Sequence, residues 1–160
     1  MNFVTYSGFA IESAAFPNVF LRMDAAGVPG NQLPAGGGFV NCQSSPGAWE
    51  RFQLVHHPDS SAVIESIAFP GAYLRIAGEG VTKFVAAGGG KVNAQGFMGG
   101  WERLRLRFGP NLDFTIESVS FPGVFVRMDG SGVGGSGTGN NIVNCQFGAG
   151  PYERFLLRMP

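Results

Sequence analysis

Apolar residues in this chain come in short runs of about four to six, rich in Val, Ile, Phe and Leu and bounded by Gly, Pro, Asn or Ser. Runs of that length with β-branched and aromatic content predict strands rather than helices. The pattern also repeats. One copy reads Ala10-Ile11-Glu12-Ser13, Phe16-Pro17-Asn18-Val19-Phe20-Leu21-Arg22-Met23-Asp24, Val40-Asn41-Cys42-Gln43 and Trp49-Glu50-Arg51-Phe52. The next gives Ile64-Glu65-Ser66, Phe69-Pro70-Gly71-Ala72-Tyr73-Leu74-Arg75-Ile76, Val92-Asn93-Ala94-Gln95 and Trp101-Glu102-Arg103-Leu104. The third gives Ile116-Glu117-Ser118, Phe121-Pro122-Gly123-Val124-Phe125-Val126-Arg127-Met128-Asp129, Val143-Asn144-Cys145-Gln146 and Tyr152-Glu153-Arg154-Phe155. Glu12, Glu65 and Glu117 are 53 and 52 residues apart, a fixed period that determines the architecture before any single strand is assigned.

Four runs in three copies predict twelve strands in one domain over 1–160, with repeats at approximately 7–58, 59–109 and 110–160. The Phe-Pro-Gly step predicts a tight turn joining the first two strands of each copy. Pro presets φ at the first central position, and Gly, or Asn18 in copy one, tolerates positive φ at the second. The third strand alternates, Val40 and Cys42 against Asn41 and Gln43, which predicts one buried and one polar face. Glycine-rich loops precede it, from Gly27 to Gly38, Gly78 to Gly90 and Gly130 to Gly139. A four-stranded unit cannot bury its apolar face alone, so the copies are expected to close around a common core as an all-β, pseudo-threefold barrel.

Composition adds that the chain folds: 44% of its 160 residues are hydrophobic and only 14% charged. Eleven basic and eleven acidic side chains cancel. No net field then draws the protein to a polyanion, which argues against nucleic acid as a partner. No run of about eighteen apolar residues predicts a membrane span, and no charged-then-apolar leader precedes the first strand. The expectation is a soluble protein without membrane insertion. Cys42 and Cys145 occupy equivalent places in two repeats and form no disulfide framework, so both are expected to be buried and unpaired, which favours a reducing, cytoplasmic setting.

The Phe-Pro-Gly-x-x-Leu-Arg hairpin, the Val-Asn-Cys strand and the Gly-Pro-Tyr-Glu-Arg-Phe closing strand resemble those of the fascin-like and arabinofuranosidase-B-like β-trefoils, over nearly the whole chain. The resemblance implies a β-trefoil, with six strands in a short barrel and six in three hairpins that cap it. It also implies two functions, glycan binding and actin bundling. The arabinose-binding relatives carry a His and Asp pair in their pockets, and no histidine matches here.

Twelve of the 22 charged residues sit at threefold-repeated positions. A catalytic pair should break symmetry, so these read as staples, with Glu12 facing Arg22 across the hairpin and the equivalents doing the same. No acidic pair stands apart from the repeat, as two-carboxylate glycoside hydrolysis would need. No nucleophile–base set or metal-ligand spacing is present, and His56 and His57 read as a solvated linker. The chain is therefore expected to be a non-enzyme without cofactor or bound metal. The repeated aromatics, Trp49, Trp101 and Tyr152 with Phe16, Phe69 and Phe121, read as core layers.

Departures from the repeat suggest a site instead. Asp24 and Asp129 match, where copy two has Ala77; loop one carries Asn31 and Gln32, and loop three Asn140 and Asn141. Short polar side chains on loops beside a hairpin end suit hydroxyl recognition, so these six are the candidate ligand-binding residues, with copy two a poor binder. The other reading is that the aspartates only start turns. The leading function is a non-catalytic, lectin-like carbohydrate-binding module with up to three shallow pockets, its partner a glycan or polysaccharide. The alternatives are an actin-binding or scaffolding protein and a protease inhibitor.

Overall fold

A computed structural model describes residues 3–133 and 142–159. They contain twelve strands: β1 (Phe3–Ser13), β2 (Val19–Asp24), β3 (Phe39–Ser44), β4 (Phe52–His56), β5 (Ala62–Ser66), β6 (Tyr73–Ala77), β7 (Gly90–Gln95), β8 (Leu104–Phe108), β9 (Phe114–Ser118), β10 (Val124–Asp129), β11 (Ile142–Phe147) and β12 (Phe155–Arg158). A 3-10 turn precedes the last strand of each copy, at Ala48–Glu50, Gly100–Glu102 and Pro151–Glu153. Six strands pair in a closed antiparallel cycle, β1 with β4, β4 with β5, β5 with β8, β8 with β9, β9 with β12 and β12 with β1. Closure removes the barrel's free edges. The other six form the hairpins β2–β3, β6–β7 and β10–β11, each tied to the barrel by one residue pair such as Glu12 with Phe20. A closed six-stranded barrel with three hairpins in threefold array is a β-trefoil.

The repeated motif explains each barrel-to-hairpin turn. Ser13, Ser66 and Ser118 each accept, through Oγ, the N–H of the Phe three residues on, at 3.0 Å. Asn18, Gly71 and Gly123 take φ values of 68°, 90° and 88°, as the tight-turn reading requires. Their N–H groups donate to Oε2 of Glu12, Glu65 and Glu117 at 2.8 Å. These glutamates do not pair with Arg22, Arg75 and Arg127. Their Oε1 atoms accept instead from the preceding copy's last strand: Arg158 Nε on Glu12 (2.5 Å), Gln53 Nε2 on Glu65 (2.7 Å) and Arg107 Nε on Glu117 (3.1 Å). The barrel neighbour decides the partner, and hairpin spacing alone cannot reveal it.

The core is built from Phe9, Phe52, Phe114, Phe155, Ile11, Ile64, Ile116 and Leu104, all fully buried, with Leu21, Leu74 and Val126 arriving from the hairpins. Burying each such side chain contributes roughly 1.5 to 3 kcal/mol. Trp49, Trp101 and Tyr152 lie outside this cluster, at the rim, and Phe16, Phe69 and Phe121 pack against it only in part. Cys42 and Cys145 are buried thiols with no disulfide, and their Sγ atoms lie 3.9 and 3.8 Å from the carbonyls of Asp129 and Ala77, at the end of the preceding copy's second strand. His57 is buried too, in a turn closed by its N–H to Ser61 O (2.9 Å), and burial with the nearby Arg103 charge pushes its pKa down. It is not a solvated linker residue.

In copies two and three the polar face of the third strand is covered by the loop of the preceding copy. Asn93 Nδ2 donates to Ala35 O and Asn144 Nδ2 to Ala87 O, both at 2.9 Å. Gln95 accepts the N–H of Leu33 and donates to its carbonyl, and Gln146 brackets Val85 in the same way. Gly36 is required at this contact: its φ is +71°, and a Cβ would stand 2.6 Å from the Asn93 amide oxygen. Copies one and two thus each supply a wall for the next.

Candidate functional site

Three related cavities open where a hairpin, a 3-10 turn and, in copies two and three, the covering loop meet. The copy-two cavity holds about 510 Å³ and is lined by Arg75, Gln95, Trp101 and Glu102, with Leu33, Pro34 and Phe97 as apolar walls. The copy-three cavity, about 310 Å³, is lined by Arg127, Gln146, Tyr152 and Glu153 under Phe84 and Ala86. The copy-one cavity, about 290 Å³, has Arg22, Gln43, Trp49 and Glu50 with Ser45. The four lining types are the same in each copy, with Tyr for Trp in the third.

The local sequence places each group. The 3-10 turn is held by its own glutamate, whose Oε1 accepts the N–H of the Gly three residues earlier: Gly47 on Glu50 (2.6 Å), Gly99 on Glu102 (2.8 Å) and Gly150 on Glu153 (2.6 Å). That turn sets the preceding aromatic at the rim. The arginine on the hairpin's first strand donates through Nη1 to the facing Asn of its second strand, at 3.2, 3.1 and 3.3 Å. Its guanidinium lies over the aromatic ring, 4.6 Å from the centroid of Trp49 and of Trp101 and 5.2 Å from that of Tyr152. A cation over a ring face is attracted by the ring quadrupole and fixes both groups. The ring also meets the Phe of the next copy's turn, Trp49 with Phe69, Trp101 with Phe121 and Tyr152 with Phe16, at 5.0 to 5.5 Å. Trp49 still keeps 36% of its surface exposed.

The floor is charged, and its side chains are largely buried. Arg22 Nε lies 3.7 Å from Glu50 Oε2, and Arg75 Nε 3.8 Å from Glu102 Oε2, beyond direct hydrogen-bond distance. In copy three Arg127 leans instead toward Asp129, Nη2 to Oδ2 3.9 Å. Burial raises the pKa of Glu50, Glu102 and Glu153, offset in part by the Gly N–H and the arginine charge. Burial likewise lowers that of Arg75, against the opposing pull of Glu102. Among the described residues each cavity lining contains one carboxylate.

Of the six residues singled out by sequence, Gln32 lines the copy-two cavity. Asn31 donates through Nδ2 to Gly27 O (2.8 Å) within its own loop. Asp24 accepts the Ala26 N–H (3.4 Å), and Asp129 accepts both the N–H and the hydroxyl of Ser131 (3.1 and 2.7 Å), contacts that hold its pKa down. Neither aspartate lines the three cavities. Asn140 and Asn141 lie outside the described residues. The cavity residues themselves are visible in the sequence as a repeated Gln followed by Gly-x-Trp/Tyr-Glu. Their threefold repetition made them read as staples and core.

No protein-family model matches this chain, and no curated protein sequence matches it. Solved structures do. A mosquitocidal holotoxin aligns over 99% of the chain with a TM-score of 0.73 and 10% identity. The chain spans 18% of that toxin's length. A designed threefold-symmetric protein, ThreeFoil, aligns over 95% of this chain and 98% of its own, with a TM-score of 0.68 and 13% identity. At such identities the likeness shows the fold, an all-β protein of threefold-repeated design. Among the described residues no helix is long and apolar enough to cross a membrane.

Proposed function

We propose that this protein is a non-catalytic carbohydrate-binding module whose sites are the repeated cavities. The observation that carries the reading is the recurrence of one constellation, a rim aromatic over a guanidinium, a carboxylate and a cleft of about 290 to 510 Å³, in all three copies. Saccharides present apolar C–H faces that suit aromatic rings and hydroxyls that both donate and accept, and a paired cation and anion offers both partners. Two or three such sites on one scaffold raise avidity for a polymeric glycan without any single tight pocket. In this reading copy two is the strongest site, and Gln32 stands at its mouth.

A glycan array tests it, followed by titration of any hit against Trp101→Ala and against the double variant Asp24→Ala with Asp129→Ala. Loss of binding in the first with retention in the second supports the cavities. Loss only in a folded double variant moves the site to the hairpin ends. Filament co-sedimentation or inhibition in a protease panel, without a glycan hit, would replace the reading with an actin-binding or inhibitory role.

A further inference from the structure

The guanidinium–carboxylate floor bears on the kind of saccharide such a cavity would take. Within the protein, Glu102 uses Oε1 on the Gly99 N–H, is held further by its own backbone N–H, and sets Oε2 3.8 Å from Arg75 Nε. Arg75 in turn spends Nη1 on Asn93 and has no hydrogen bond from Nε. Both residues line the 510 Å³ cavity, and both side chains are more than nine-tenths buried. The Nε–H and Oε2 are thus held 3.8 Å apart in the cavity lining without a direct hydrogen bond between them. An oxygen standing about 2.8 Å from each fits between them.

We infer, building on the saccharide-binding reading, that Arg75 and Glu102 together hold one hydroxyl of a neutral sugar, which accepts from Arg75 Nε–H and donates to Glu102 Oε2. A hydroxyl does both at once, whereas the carboxylate of a uronic sugar in this position can only accept and would face Glu102. An amino sugar would meet Arg75 in the same way. Copy one repeats the geometry with Arg22 and Glu50 at 3.7 Å, in a smaller cavity. Copy three does not, since Arg127 is drawn toward Asp129. Sites of this kind are therefore two, and the larger is in copy two.

The test is titration of wild-type protein with a panel of neutral methyl hexopyranosides and methyl pentosides, each hexoside beside its 6-uronate, read by calorimetry. The neutral member should bind at least about tenfold tighter than its uronate, the worth of one charge-assisted hydrogen bond. Glu102→Gln keeps an acceptor for Gly99 and removes the anionic one. It should weaken the neutral sugar by about tenfold and narrow the gap to the uronate. Wild-type affinity should fall as pH drops through the raised pKa of Glu102, and the variant should not follow. Equal or tighter uronate binding, or an unchanged affinity in folded Glu102→Gln, overturns the inference. If that variant fails to fold, the wild-type neutral-to-uronate ratio and pH profile decide alone. Neutral binding that depends on Trp101 but not on Glu102 sinks only this inference, whereas a panel without any binder sinks the saccharide reading with it.

Discussion

Two sets of threefold glutamates stand in this molecule, and they differ in what is left over. Glu12, Glu65 and Glu117, at the barrel-to-hairpin turns, use one oxygen on the turn N–H and the other on a side chain of the neighbouring strand. Glu50, Glu102 and Glu153, at the cavity floors, are held by backbone N–H groups and accept no hydrogen bond from another side chain among the described residues. Both sets repeat with the same period and bear the same charge. Symmetry therefore does not separate scaffold from site; the presence of a side-chain hydrogen-bond partner does.

The largest expected effect breaks the first set. Glu117→Ala leaves the Gly123 N–H without its acceptor and Arg107 without its partner, and should cost about 1 to 3 kcal/mol in denaturant unfolding. Its saccharide affinity should be unchanged. A stability loss that brings equal loss of binding would merge the two sets and undo the distinction.

Glu102→Gln should act in the opposite way, lowering affinity while changing stability by less than about 1 kcal/mol near neutral pH. Its stability effect should depend on pH with a defined sign. Because the folded-state pKa of Glu102 lies above its ordinary 4.5, the native wild type binds that proton more tightly than the unfolded chain. Wild type therefore gains stability relative to the variant as pH falls through the window between the raised value and the ordinary one. Thermal melts of both proteins across that window check this. A difference that is flat, or that shrinks toward acid, contradicts the burial assigned to this carboxylate.

The smallest effect concerns the buried thiols on β3 and β11. Burial pushes Cys42 up to about 12, with the Asp129 charge adding to it, and Cys145 up to about 11. The thiolate is the reactive form, so native labelling should be slow and labelling after unfolding prompt. Fast native reaction of both would show that the hairpins open readily.

Much of the fold was legible in the chain because its signals are local and repeated. Short apolar runs mark the strands, and Phe-Pro-Gly with Asn18 as the variant marks turns whose φ values are positive where expected. The threefold period implies a shared core. What was not legible depends on which copy touches which. Glu12 and Arg22 flank their turn symmetrically, yet their partners are Arg158 and Glu50, from a distant strand and a 3-10 turn. The alternation Val40-Asn41-Cys42-Gln43 suggested a solvated polar face, but in copies two and three the preceding loop seats itself on Asn93, Gln95, Asn144 and Gln146. The repeated aromatics have core-like spacing and stand at the rim, because Arg75 and Phe121 hold Trp101 there. The candidate site was legible only as a set of repeated residues, without the cavity that joins them.

The two tryptophans of the chain sit one in each of the cavities of copies one and two, so intrinsic fluorescence reports on the sites directly. The most direct measurement is titration of a neutral glycan-array hit into single-tryptophan proteins made by Trp49→Phe and by Trp101→Phe. The emission of Trp101 should shift or quench with a saturation curve that matches the calorimetric affinity, and that of Trp49 should respond more weakly. Saturable glycan binding that leaves the emission of both tryptophans untouched would contradict the assignment of function to these cavities.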